Sequence, residues 1–140
     1  MLSGTVDIPQ PLKTAIHNFR LSKHRDITRA LVVKINRVQL VMEQEDLYDD
    51  ITIEELANEL PANQPRFVLL ARPITHSDGR KSCPIALVNW VPSTSEIGMM
   101  TLHATALLRF QNAADAIRLI EFRDPDSLTS AEIDDALLSF

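Results

Sequence analysis

Leu12, Ala15, Ile16 and Phe19 recur at i, i+3, i+4 and i+7 behind Pro9 and Pro11, which predicts a short helix with one apolar face. The bases Arg20, Lys23 and Arg25 follow it. Ala30 to Ile35 is an apolar run rich in β-branched residues, and Leu40 to Met42 is a second. Their closeness predicts an antiparallel hairpin turning near Asn36 and Arg37. No Asn-Gly pair fixes its turn type. Glu43 to Glu59 then carries eight acids and no base. Within it Thr52-Ile53-Glu54-Glu55 reads as a capping box, Leu56 and Leu60 continue the helix, and Pro61 ends it. The acids are most simply a solvated face beside a helix N-terminus, where negative charge is favourable.

Arg66 to Ala71 and Pro84 to Val91 are nearly continuous apolar runs, as expected of strands covered on both faces. Between them Thr75-His76-Ser77-Asp78-Gly79-Arg80 predicts a protruding hairpin tip, because glycine accepts positive φ without strain. Pro92 to Ser95 is a loop. Glu96 to about Phe110 reads as the longest helix, with Met100, Ala104, Leu107 and Leu108 as its buried stripe. Asp115 to Phe122 is a last strand, with Ile117, Leu119 and Ile120 expected inside. Thr129-Ser130-Ala131-Glu132 is a second capping box, and Ile133, Ala136, Leu137 and Phe140 line the closing helix. The order α-ββ-α-ββ-α-β-α implies an α/β (α+β) fold. One central mixed sheet carries helices on both faces, and its fifth strand joins by a crossover.

With 140 residues, the chain fits one domain over 1–140. No apolar run approaches the ~20 residues of a membrane span, and Met1 to Thr5 shows no basic stretch or apolar signal core. A soluble, cytoplasmic monomer is expected. Cys83 is the only cysteine, which excludes an internal disulfide and a multi-cysteine zinc site. It is expected to be a small buried apolar group. The net charge of −5 argues against general nucleic-acid binding. That charge is polar along the chain, +5 through Arg37 and −10 beyond it, a pattern suited to orienting a docking partner.

Catalytic patterns do not emerge. His17, His24, His76 and His103 are scattered without metal-ligand spacing, so no metal and no cofactor is expected. Three glycines leave no phosphate loop, and the carboxylates fall in runs that read as exposed. One tryptophan and one tyrosine are poor material for stacking bases. What remains is a protein-binding module, not an enzyme.

Glu59-Leu60-Pro61 with Gln64-Pro65-Arg66-Phe67 resembles the glia maturation factor form of the actin-depolymerising-factor-homology fold. So do His76, Asp78-Gly79-Arg80, Ser82 and Pro84 in that spacing. Phe19-Arg20, Lys34-Ile35, Met99-Met100 and Glu121-Phe122-Arg123 followed by Leu128-Thr129 match as well. The resemblance runs from about Leu12 to Leu138. It departs at Thr101-Leu102-His103, where the family usually has Tyr-Ala-Gly or Tyr-Ala-Ser, and at Ser22 in the basic segment.

The resemblance implies a central mixed sheet of five to six strands. It also implies binding to the actin-related protein 2/3 complex, inhibition of branch nucleation, debranching, and a place at cortical or branched actin structures. Weak or no actin binding is implied too. In cofilin-like members lysines follow the Met-Met pair on the long helix and contact actin, whereas Met99 to Arg109 holds one base, Arg109. The rival expectation is a cofilin-like factor that binds and severs filaments.

The expected interface joins the start of the long helix, the N-terminal arm with Ser3, and the loop before the closing helix. It would dock on a subunit such as actin-related protein 2. Met99, Met100 and Leu102 would give apolar contact, with His103 and Arg109 as polar flanks. A second contact is expected at His76, Asp78 and Arg80, and a third at Arg20, Lys23 and Arg25.

Overall fold

A computed structural model describes residues 5–140. In chain order it contains α1 (Gln10–Leu21), β1 (Arg29–Asn36), β2 (Val41–Asp49), α2 (Ile53–Glu59), β3 (Arg66–Ala71), β4 (Ile74–Thr75), β5 (Lys81–Ser82), β6 (Ile85–Trp90), α3 (Ile97–Ala114), β7 (Leu119–Phe122) and α4 (Ser130–Leu138). Five strands form one sheet in the order β2-β1-β3-β6-β7, and β4 and β5 form a two-stranded ribbon beyond it. β2, β1, β3 and β6 run antiparallel to their neighbours, while β7 lies parallel to β6. That last pairing needs the crossover that α3 supplies.

The central strands explain the two-layer core. Every residue of β3 is buried. Phe67, Leu69 and Ala71 face α1 and α3, meeting Leu12, Ile16, Phe19 and Phe110. Val68 and Leu70 face α2 and α4, meeting Ile53, Leu56, Ile133 and Leu137. Full burial of such side chains contributes about 1.5–3 kcal/mol each, so the sheet with helices on both faces is where the apolar pattern places most of its stability.

Local signals act as their chemistry predicts. Thr52 Oγ1 accepts from Glu55 N–H at 3.0 Å while Glu55 accepts from Thr52 N–H at 3.1 Å, closing the capping box of α2. Of the second expected box one half forms: Thr129 Oγ1 accepts from Glu132 N–H at the start of α4. Gly79 takes φ +89 in the hairpin tip. The first hairpin turns through 37–40, where Asn36 Oδ1 accepts from the N–H groups of Val38 and Gln39.

Four expectations change. The acid run is strand as far as Asp49, because β2 continues pairing with β1 to the end of the hairpin. Its charges therefore sit on an edge strand, where they discourage pairing with other edges. α3 extends to Ala114, and β7 begins only at Leu119, so Ile117 stands 84% exposed and Leu119 is exposed. Arg20 Nη1 donates to the Ala114 carbonyl at 2.9 Å, satisfying the end of α3 where the sequence alone suggests an earlier stop. Phe140 is exposed, 5.9 Å from the Arg118 guanidinium.

Candidate interaction surface on the long helix

The buried line of α3 is His103, Ala106, Phe110 and Ala114. This corrects the expected stripe of Met100, Ala104, Leu107 and Leu108: Ala104 and Leu108 are exposed, and Met100 and Leu107 are half-buried. The physical reason is His103. Its ring stacks on Phe67 with centroids 3.8 Å apart, and Phe110 stacks on Phe67 too, with centroids 4.9 Å apart. A reading that treats histidine as polar turns the helix to the wrong phase.

His103 is consequently not a polar flank of a surface. It is 2% exposed, and its Nε2–H donates to Asn89 Oδ1 at 2.7 Å. Asn89 Nδ2–H donates in turn to Glu121 Oε1 at 3.1 Å, and Arg123 Nε donates to Glu121 Oε2 at 2.9 Å. Burial, and then the Arg66 charge, push the His103 pKa down to about 3, so the ring is neutral at neutral pH. Leu102, placed at the docking surface by the expected interface, is half-buried against the α1 side of the core.

The outward part of α3 begins with Ile97, 80% exposed, and includes half-buried Met99 and Met100 and exposed Arg109. Met100, Ala104 and Leu107 form one wall of a 390 Å³ groove whose other wall is Glu121 and Arg123 beside β6. A latch holds the start of the helix. Arg37, in the turn of the first hairpin, donates to Glu96 Oε2 at 2.6 Å and to Oε1 at 3.3 Å. A Cβ on Gly98 would sit 2.9 Å from Arg37 Nη2 and 2.6 Å from Glu96 Oε1, so glycine leaves room for the bridge to cross the first turn. The bridge holds the Glu96 carboxyl below its usual range. Ile97, Arg37 and Glu96 were not singled out from sequence; the glycine inside a helical pattern was their available signal.

The other two candidate groups partly meet. Arg25, after α1, and Lys81, on β5, line one 380 Å³ cavity, which brings the basic loop against the hairpin ribbon. Lys23 is exposed on that loop. Arg20 turns away to cap α3 and approaches Asp115 at 3.7 Å. At the tip, Arg80 Nε donates to Asp78 Oδ2 at 2.7 Å, which holds the Asp78 carboxyl below its usual range. His76 Nε2 pairs with Ser82 Oγ at 2.9 Å. Ser3 lies outside the described residues.

The segment from Glu59 to Phe67 is a packing device. Arg66 is 8% exposed, donating to both oxygens of Glu45, to the Pro65 carbonyl and to Gln64 Oε1. The Pro61 carbonyl accepts from Trp90 Nε1 at 2.8 Å. Cys83 is buried, and burial raises its thiol pKa, as befits an apolar role. Among the described residues no cluster of His, Cys, Asp and Glu has metal-ligand geometry. Among the described residues no helix is long and apolar enough to cross a membrane.

Residues 5–138 match the cofilin/tropomyosin-type actin-binding protein family. The chain is 31% identical to glia maturation factor of Drosophila melanogaster over 123 residues, spanning 88% of each. The solution structure of glia maturation factor from Caenorhabditis elegans superposes with a TM-score of 0.82 at 33% identity, covering 96% of this chain and 99% of that one. The chain belongs to the glia maturation factor group of the actin-depolymerising-factor-homology superfamily. It is also 37% identical to protein AIM7 of Saccharomyces cerevisiae over 129 residues, 86% of each. Membership makes it an actin-regulating protein of that superfamily with actin-related partners. It also fits the architecture above, a five-stranded mixed sheet with a small second sheet and four helices.

Proposed function

We propose that the chain binds the actin-related protein 2/3 complex through the start of α3, inhibits branch nucleation and promotes debranching. One observation carries the reading: within a chain of the glia maturation factor group, the outward part of α3 presents Ile97, Met99 and Met100 with Arg109 as its single base. Apolar side chains ringed by few charges suit a barbed-end groove. A filament-gripping helix would need several charge-assisted contacts, each worth about 1.5–3 kcal/mol. Arg109, Met99 and Met100 remain in the proposed interface, Leu102 supports it from beneath, and His103 leaves it. The basic loop with Lys23 and Arg25 and the ribbon with His76, Arg80 and Lys81 form a second, contiguous contact for a neighbouring subunit.

Occupying the groove blocks addition of the first daughter subunit. Debranching follows when binding is tighter to the separated complex than to the junction, since a ligand shifts only states it distinguishes. The test is a fluorescence assay of daughter-filament detachment. Wild-type protein is expected to shorten branch lifetime, and Ile97→Asp with Met99→Ala is expected to abolish the effect while unfolding normally. Branch lifetimes equally shortened by that variant would remove α3 from the interface. Tight co-sedimentation with bare filaments, with no effect on branches, would favour the cofilin-like severing reading.

A further inference from the structure

The start of α3 is weakly secured by everything except one ion pair. No residue of the helix before His103 is buried. Ile97 is exposed, and Gly98 favours the helical form about fivefold less than alanine would. Glu96 at the N-cap makes no side-chain capping hydrogen bond. Of the groups that lower its carboxyl pKa, Arg37 acts most strongly and the Gly98 N–H least. Among the described residues, the Arg37–Glu96 bridge is the only side-chain hydrogen bond or ion pair that joins 96–102 to another element. Its other end is firmly held. Asn36 Oδ1 accepts from the N–H groups of Val38 and Gln39, and the Leu40 N–H closes the turn on the Asn36 carbonyl at 2.8 Å. A marginal helix start is thus tied to a rigid hairpin turn, and the tie crosses the one residue whose missing Cβ leaves it room.

We propose that Arg37 is a positioning residue of the docking surface: its bridge to Glu96 across Gly98 holds the first turn of α3 in the helical form that presents Ile97 and Met99 to the actin-related partner. The inference rests on the proposed docking of α3 and assigns the control of that surface to the first hairpin. The side chains of the bridge are 55% and 58% exposed, so it shifts the balance between closed and frayed turn by about two- to fivefold. A shift of that size matters only where the turn is close to balance, as a first turn without a cap or a buried residue is. The rest of the helix, anchored by His103, Ala106 and Phe110, is indifferent to it.

A double-mutant cycle of Arg37→Gln and Glu96→Gln, read in two ways, decides it. The first reading is native-state amide hydrogen exchange of the free chain. The Met100 N–H, which donates to the Glu96 carbonyl at 3.0 Å, reports the first turn. Each single variant is expected to speed its exchange about two- to fivefold, and the double variant no more than the faster single one. Exchange at Phe110 is expected to stay unchanged. No change at Met100, or an equal change at Phe110, would overturn the role, the latter because it marks a general loss of stability. The second reading is affinity for purified actin-related protein 2/3 complex. Affinity scales with the fraction of molecules in the competent form, so each single variant is expected to bind at least about twofold more weakly, again without additivity. Additive losses would make Arg37 and Glu96 separate partner contacts and overturn the positioning role. If the wild type binds and both variants bind equally well, that role alone fails and the docking of α3 stands. If the wild type ignores the complex, the docking reading fails and takes the role with it.

Discussion

His103 sits where three kinds of constraint coincide: ring stacking on Phe67, a hydrogen bond to Asn89, and near-complete exclusion from water. Protonating it inside the fold is opposed by burial, which lowers its pKa from 6.5 to about 3. The unfolded chain accepts the proton readily near 6.5, so its proton uptake drives unfolding below that pH. The sign follows: this contribution to stability is complete above about pH 6.5 and is lost as pH falls toward 3, by about 1.4 kcal/mol per pH unit within the interval. Urea unfolding between pH 6.5 and 5 is expected to show that slope, ahead of most carboxylate titration. His103→Gln, which cannot take up the proton, is expected to be less stable at pH 7 yet flatter across the interval. Parallel pH profiles would mean that the folded imidazole reaches its proton after all.

Among the elements, Arg66 and Glu45 tie β3 to β2 across the intervening β1. Both side chains are largely shielded, and the hydrogen bond from Arg66 holds the Glu45 carboxyl below its usual range. Removing the carboxylate leaves a buried guanidinium with only neutral acceptors, which costs about 3 kcal/mol. Glu45→Ala is expected to lower the unfolding free energy by that amount, read as a lower urea midpoint at unchanged slope; a loss under about 1 kcal/mol would mean that water reaches Arg66. This pair also shows what periodicity can and cannot deliver. The strands of β3 and β6, the capping box of α2 and the Asp78-Gly79 turn are local, so their residues announce them. The burial of Arg66, the edge placement of the acid run and the end of α3 at Ala114 depend on partners up to 94 residues away. A window of seven residues around Arg66 contains Gln64 and Pro65 but not Glu45, and one around Ala114 does not contain Arg20. The candidate surface divides in the same way. Met99 and Arg109 enter the candidate surface through the resemblance, whereas Ile97 and the Arg37–Glu96 latch required the hairpin turn to be placed against the helix.

At the scale of the whole molecule, three of the seven bases of the N-terminal third are committed inside the chain, while Lys23 and Arg25 stay exposed on the loop after α1. Arg20 caps α3, Arg29 lies 4.4 Å over the Phe19 ring while donating to the Phe19 carbonyl, and Arg37 bridges to Glu96. The remaining −10 region supplies the acidic edge and much of α2. A chain so arranged has little positive field to hold it on a polyanionic filament, and α3 adds one base to its outward part. If that poverty of charge sets partner choice, restoring it should change the partner. Thr101 and Thr105 are exposed one helical turn apart, and Thr105 Oγ1 bonds back to the Leu102 carbonyl, so lysine at both sites suits the helix at least as well. Thr101→Lys with Thr105→Lys is expected to fold normally and to co-sediment with bare filaments in a salt-sensitive manner, losing that binding as ionic strength shortens the reach of the added charges. If the doubly substituted chain pellets no better than wild type at low salt, partner choice is written in the shape of the surface around Ile97 and Met99 and not in its charge.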